Sequence, residues 1–257
     1  MGATLTLRSR AYRRPADPFT ATAADGVRLT GIRVGTAGPS LVFCHGFLGW
    51  YRKPRIVRFA EAMAARFTTF AVDLRGHGTS EGLCTYGDRE ALDVDAVVRL
   101  ARRERDEPVV ALGVSMGGVA VIRSAAAEDA EPVDAVVAVS TPARWDGHRS
   151  RAVRQMTWVG SSSRGRQVAW LLGTRAAELR PWPESPEEVV GRIAPTPLVL
   201  VHGRDDHFFD EEEMWRLYRR AGEPKRLMLA SRFGHAEDGL TPTFAERLSA
   251  RLLELLG

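Results

Sequence analysis

The chain predicts an α/β fold: a parallel sheet with helices on its faces. Three observations carry this. Short β-rich runs alternate with longer stretches of helical periodicity. Several of those runs are near-continuous in Val, Leu and Ala, the pattern of strands buried on both sides. A length of 257 residues with 44% hydrophobic and 26% charged content is enough to bury a full core.

Taken in order, Ala3–Ser9 alternates like a strand, and the N-terminus lacks the apolar stretch of a secretory signal. Phe19–Ala23 and Val27–Val34 read as a hairpin around Asp25-Gly26, a favoured turn pair. Ser40–Gly46 is a strand. Lys53–Phe67 fits a helix with Ile56, Phe59, Ala60 and Met63 on one face. Thr68–Gly78 is a strand ending in glycines, and Asp88–Arg105 a helix with Leu92, Ala96, Val97 and Leu100 inward. The strand Pro108–Ser115, a helix from Met116, and the strands Val133–Ser140, Pro197–Gly203 and Lys225–Ala230 follow. The last helix opens at Thr241-Pro242, a capping residue before a first-turn proline, buries Phe244, Leu248, Leu252 and Leu255, and stops at Gly257. From Arg144 to Ala194 the rhythm breaks. This segment holds Trp145, Trp158, Trp170 and Trp182, with proline and serine clusters, and reads as short helices inserted over the sheet.

The net charge of +4 raises the question of a nucleic-acid partner. Only Lys53 and Lys225 are lysines, the arginines are spread along the chain among 32 acids, and no recognition module is present, so none is expected. No run approaches a membrane span. Cys44 and Cys84 do not make a disulfide framework; reduced thiols in a cytoplasm are the expectation.

The chemistry concentrates at Gly113-Val114-Ser115-Met116-Gly117, a G-x-S-x-G between a strand and a helix. A turn this sharp forces the serine into strained backbone angles and leaves no room for side chains two residues before or after it. The helix N-terminus behind it turns unpaired N–H groups towards developing negative charge. A serine hydroxyl needs a base, and His235, in a loop before the last helix, is the candidate. His45 and His202 read as structural, His77 as a loop brace, and His148 and His207 as exposed. The base needs a carboxylate to hold its tautomer. Asp206 is the choice and Asp205 its main competitor, while Asp210 is better explained as the N-cap of the helix that follows. The order Ser115, Asp206, His235 is neither the chymotrypsin nor the subtilisin order. The backbone N–H groups of Met116 and Phe47 are the candidate oxyanion donors, each worth roughly 3–4 kcal/mol of transition-state stabilisation.

With these residues in place, the chain resembles the α/β-hydrolase superfamily. The likeness runs through His45–Gly49, Asp73–Ser80, Gly113–Gly118, His202–Asp206 and Gly234-His235. It implies an eight-stranded, mostly parallel sheet with a small helical cap inserted after strand six, hence a core of residues 1–143 and 195–257 and a cap of 144–194. It implies Ser115 as nucleophile, His235 as base, Asp206 as acid, and Phe47 and Met116 as oxyanion donors. The family's frequent proline near the acid is absent, and His207-Phe208-Phe209 stands there. Serine rather than aspartate at position 115 argues against the dehalogenase and epoxide-hydrolase branches.

The expected reaction is hydrolysis of a carboxylic ester through an acyl-enzyme, without cofactor or metal, on a small-molecule acyl substrate. Leu48, Trp50, Trp145, Trp158 and Trp170 are the candidate pocket residues. A thioesterase acting on coenzyme A or carrier-protein thioesters is the alternative, suggested by eight arginines between Arg144 and Arg180 against Asp146 and Glu178. A non-catalytic binding protein on the same fold and a membrane-associated lipase anchored through the basic, aromatic cap are further rivals.

Overall fold

The computed structural model describes residues 12–145, 150–178 and 183–257. The strand-like alternation of Ala3–Ser9, and Asp146, His148, Arg180 and Trp182, lie outside them. Eight strands form one sheet: β1 (Ala16–Thr22), β2 (Arg28–Val34), β3 (Ser40–Cys44), β4 (Thr68–Asp73), β5 (Val109–Val114), β6 (Ala135–Val139), β7 (Leu198–Gly203) and β8 (Lys225–Ala230). Their order is β1-β2-β4-β3-β5-β6-β7-β8. β1 and β2 form the expected antiparallel hairpin, with Gly26 at φ +85° in its turn, and β2 pairs antiparallel with β4. All other pairings are parallel. Every residue of β3 through β7 is buried, as near-continuous apolar runs require.

Alternation along each strand sends side chains to two separate cores. Val42, Cys44, Val109 and Ala111 face a layer built from α2 (Glu90–Glu104), α3 (Met116–Ala125) and α7 (Glu211–Arg220). Leu41, Phe43, Val110 and Leu112 face α1 (Pro54–Met63) and α8 (Pro242–Leu256), where Ile56, Phe59, Met63, Phe244, Leu248 and Leu252 are buried. Thr241 caps α8 by accepting from the Phe244 N–H. Leu255, near the chain end, is half-buried rather than buried.

The inward face of α2 differs from the periodicity reading. Leu92 and Leu100 are half-buried, and Glu90, Asp93, Val94, Val98 and Ala101 join Ala96 and Val97 inside. The two acids turn the helix. Asp93 accepts from the Arg75 backbone N–H and guanidinium, and Glu90 from the N–H groups of Thr85 and Gly87 and the Thr85 hydroxyl. A buried carboxylate with its full set of donors competes with leucine for the inner face, and apolar periodicity does not register it.

Between β6 and β7 lie α4 (Arg151–Ser161), α5 (Ser163–Leu171), the single turn α6 (Pro186–Val189) and a 3₁₀ turn, Val190–Ile193. Ser150 and Ser162 cap α4 and α5 by accepting from the N–H groups of Val153 and Gly165. Backbone hydrogen bonds join the stretch after α5 to the loop after β4: Cys84 N–H to Arg175 O, Arg175 N–H to Gly76 O, and Ala177 N–H to Cys84 O. α6 and the 3₁₀ turn pack into the main core, with Val189, Val190 and Ile193 buried beside α3 and α7. No helix among the described residues is long and apolar enough to cross a membrane.

Candidate active site

Ser115 stands where β5 turns into α3, with φ 52° and ψ −115°, far from both strand and helix values. The turn is held on both sides. The Ser115 N–H donates to Val139 O at 2.8 Å, and the Val119 N–H to Ser115 O at 3.2 Å. The two glycines of the motif have separate steric reasons. A β-carbon on Gly117 would run into the Cys44 carbonyl, and one on Gly113 into the Gly117 carbonyl. Neither obstacle is a flexible side chain. Gly117→Ala is therefore expected to destabilise the fold by about 1–3 kcal/mol, read as a lower urea midpoint with an unchanged slope.

His235 follows β8 on a loop leading into a 3₁₀ turn, Ala236–Gly239. Its Nε2 lies 3.0 Å from Ser115 Oγ, and its Nδ1 is 2.9 and 3.0 Å from the two oxygens of Asp206. Burial by itself would push the Asp206 carboxyl up. The His235 ring, together with the N–H groups of Phe209 and Phe208, outweighs it and holds the carboxyl below the usual range. Asp206 is thus an acceptor, so Nδ1–H donates to it and Nε2 is left to accept the Ser115 proton. Asp205 is exposed, and His235 hydrogen-bonds to its neighbour. Asp210 occupies the N-cap position of α7, but its side chain makes no capping hydrogen bond.

The stretch His207-Phe208-Phe209 has a clear role around the acid. The Phe208 and Phe209 N–H groups donate to Asp206 Oδ1 at 2.8 and 3.1 Å. The Phe208 ring stacks on His235 with centroids 4.3 Å apart, and Phe209 meets the imidazole edge-on at 5.3 Å. These two side chains fix the plane of the imidazole. Their adjacency to Asp206 was the only signal for this in the sequence.

Phe47 and Met116 line the same cavity as Ser115. Among the described residues neither backbone N–H donates to a protein acceptor. His45 explains the direction of the first. It is fully buried; its Nε2 accepts from the Leu74 N–H at 3.1 Å, and its Nδ1–H donates to Gly46 O at 2.8 Å. Gly46 O also accepts from the Gly49 N–H at 2.9 Å. The Phe47 N–H belongs to the same trans peptide and points the opposite way from that carbonyl. Desolvation, and then the charge of His77 beside it, push the His45 pKa well below 6.5, which keeps the neutral tautomer this bonding needs. His45→Leu is expected to cost about 1–3 kcal/mol by orphaning the Leu74 N–H, and to lower kcat more than it raises KM; chemical denaturation and steady-state kinetics would read the two effects. His77 is buried, with Nδ1 3.0 Å from Arg75 O, and His202 is buried, with Nε2 3.2 Å from Phe209 O. His207 is exposed.

A cavity of about 370 Å³ opens over Ser115 and His235. Phe47, Leu48, Tyr86, Met116, Trp145, Val153, Met156, Phe208 and Phe209 are among the residues that line it. Its charged members have partners: Lys53 lies 3.3 Å from Glu237, and Arg144 lies 3.4 Å from Glu213. Of the candidate pocket residues, Leu48 and Trp145 line it, and the Trp145 Nε1–H is tied to Pro183 O at 2.8 Å. Trp50, Trp158 and Trp170 do not. Lys53 lies over the Trp50 ring at 5.1 Å, and Trp158 and Trp170 point outward, 49% and 62% exposed. α4 gives the cavity Val153, Met156 and Thr157 from its other face. Tyr86, at φ 61°, was not foreseen, because nothing local distinguishes it from a loop tyrosine. Among the described residues no group of three or more His, Cys, Asp or Glu side chains is arranged to hold a metal ion.

Fold and sequence together define the class. Residues 41–256 match the Alpha/beta hydrolase family, and the chain belongs to it. It is similar to YfhR of Escherichia coli (strain K12), an uncharacterized protein, with 27% identity over 234 residues, 83% of this chain and 72% of that one. It is also similar to a pimeloyl-[acyl-carrier protein] methyl ester esterase of Chromobacterium violaceum, 32% identical over 128 residues, 49% of this chain and 44% of that one. The esterase Pf2001 of Pyrococcus furiosus superposes with a TM-score of 0.72 over 95% of this chain and 92% of its own; at 22% identity the likeness is one of fold.

Proposed function

We propose that the protein is a serine hydrolase that cleaves a carboxylic ester through an acyl-enzyme. The observation that carries this reading is the 3.0 Å approach of Ser115 Oγ to His235 Nε2, with Asp206 on the far side of the imidazole. Ser115 attacks the acyl carbon while His235 takes its proton, and Asp206 steadies the imidazolium that forms. The Phe47 and Met116 N–H groups receive the oxyanion. His235 then returns the proton to the leaving alcohol, and water repeats the sequence in reverse to free the acid. The cavity wall is apolar and its charges are paired, which favours an uncharged acyl group. No cofactor enters this scheme. Cys44 and Cys84 are free and buried, which supports a reducing, cytoplasmic setting.

The test is turnover by purified protein of p-nitrophenyl esters of graded chain length, measured beside acyl-coenzyme A thioesters. Faster ester turnover that peaks at one chain length supports the reading. Absence of turnover of any ester by folded protein overturns it.

A second reading, an acyl thioesterase for anionic carriers, is favoured by the arginines of α4 and α5, of which Arg151, Arg154 and Arg164 are exposed and Arg166 half-buried. The pimeloyl-[acyl-carrier protein] methyl ester esterase relatives, whose name carries an acyl-carrier protein, lend it support. Neutralising Arg151, Arg154, Arg164 and Arg166 together would then raise KM for anionic thioesters and leave it unchanged for neutral esters; equal effects on both would remove this reading.

A further inference from the structure

Helix α4 has two unlike faces. Val153, Met156 and Thr157 line the cavity, while Arg151, Arg154, Gln155 and Trp158, spaced i, i+3, i+4 and i+7, are exposed on the opposite side. In α5 the exposed stripe is Arg164, Val168 and Leu171, with Trp170 and Leu172 beside it. Every large apolar side chain left exposed among the described residues lies on this hairpin, except Leu83. Leu83 in turn adjoins Cys84, whose backbone bonds to Arg175 just past the end of α5. The hairpin is also of one sign: from Arg151 through Leu172 there are four arginines and no Asp or Glu.

We propose that the α4–α5 hairpin docks on the surface of a bilayer containing anionic phospholipid, so that the site receives its substrate at the lipid–water boundary. The chemistry of the outer face fits that occupant. Arginine beside tryptophan and leucine, without acids, is the composition of a helix lying in an interface, its rings at headgroup level and its guanidinium groups on phosphates. A soluble anionic carrier would use the arginines but has no need for a row of exposed tryptophan and leucine beside them. A second copy of this chain would bring the same arginines together and repel itself. The helices are too short to span, so the association is peripheral and reversible.

The inference is independent of which ester is cleaved, because binding can be read without turnover. The full chain is sedimented with vesicles of phosphatidylcholine alone and of equimolar phosphatidylcholine and phosphatidylglycerol. The expected result is partition into the mixed vesicles only, weakened by added salt. Trp158→Ser with Leu171→Ser lowers that partition by about tenfold or more, and Arg151→Gln with Arg164→Gln lowers it by about fivefold per arginine. All four side chains are exposed, so the melting temperature and the turnover of a soluble ester serve as fold controls. Partition that is equal on both vesicles, that is absent, or that is indifferent to the tryptophan and leucine substitutions overturns the proposal. So does a concentration-dependent dimer in sedimentation velocity that those substitutions dissolve.

Discussion

Ser115→Ala is expected to lower kcat on any ester the protein turns over by about 10^4- to 10^6-fold, with KM nearly unchanged. The reason is local. Ser115 Oγ is the only oxygen in hydrogen-bonding reach of His235 Nε2 among the described residues, so its removal leaves the imidazole with no nucleophile to deprotonate. The rest of the site survives, because Gly113, Gly117 and the two N–H groups are fixed by backbone rather than by the hydroxyl. Thermal or urea unfolding should therefore move by less than about 1 kcal/mol. A large stability loss together with residual activity near the wild-type level would contradict the role given to this serine.

Asp206→Asn is expected to cost about 10^4-fold in kcat, about 5 kcal/mol of transition-state stabilisation. An amide at this position can present its NH₂ group to Nδ1, which places the imidazole proton on Nε2 and removes the acceptor Ser115 needs. The same substitution has a pH signature. The folded Asp206 carboxyl lies below its unfolded value of about 3.9. Its contribution to stability is therefore present above that pH and lost as pH falls through the folded pKa. Urea midpoints of wild type and Asp206→Asn should differ most above about pH 4 and converge towards lower pH. A constant gap across that range would mean that Asp206 is not ionised in the folded protein.

What the sequence made legible was local. The strand–turn–helix around Ser115 announces itself because the glycines, the apolar run before and the helix after are contiguous. Asp206 and His235 each sit a few residues past a recognisable strand, and parallel strands deliver such loops to one edge of a sheet. What stayed hidden depends on how separate elements rotate against each other. The tryptophans of the inserted segment suggested a pocket, yet Trp158 and Trp170 turn away from it while Val153 and Met156 turn in. Periodicity marks a face of α4 but not which face meets the cavity. The inner face of α2 differs for a related reason: Asp93 is held inside by donors from Arg75, on the loop after β4, and Glu90 by donors in the turn just before the helix. Phe208 and Phe209 were visible only as a departure from the family pattern. Their part in holding Asp206 and stacking on His235 emerges once the loop is folded.

The most direct measurement is the site of attack. Folded protein is treated with a fluorophosphonate, and the adduct is located by peptide mass spectrometry. The account predicts one adduct, on Ser115, formed by the wild type and lost or greatly slowed in His235→Ala. An adduct on another serine, or a folded wild-type protein that takes up none, would contradict it.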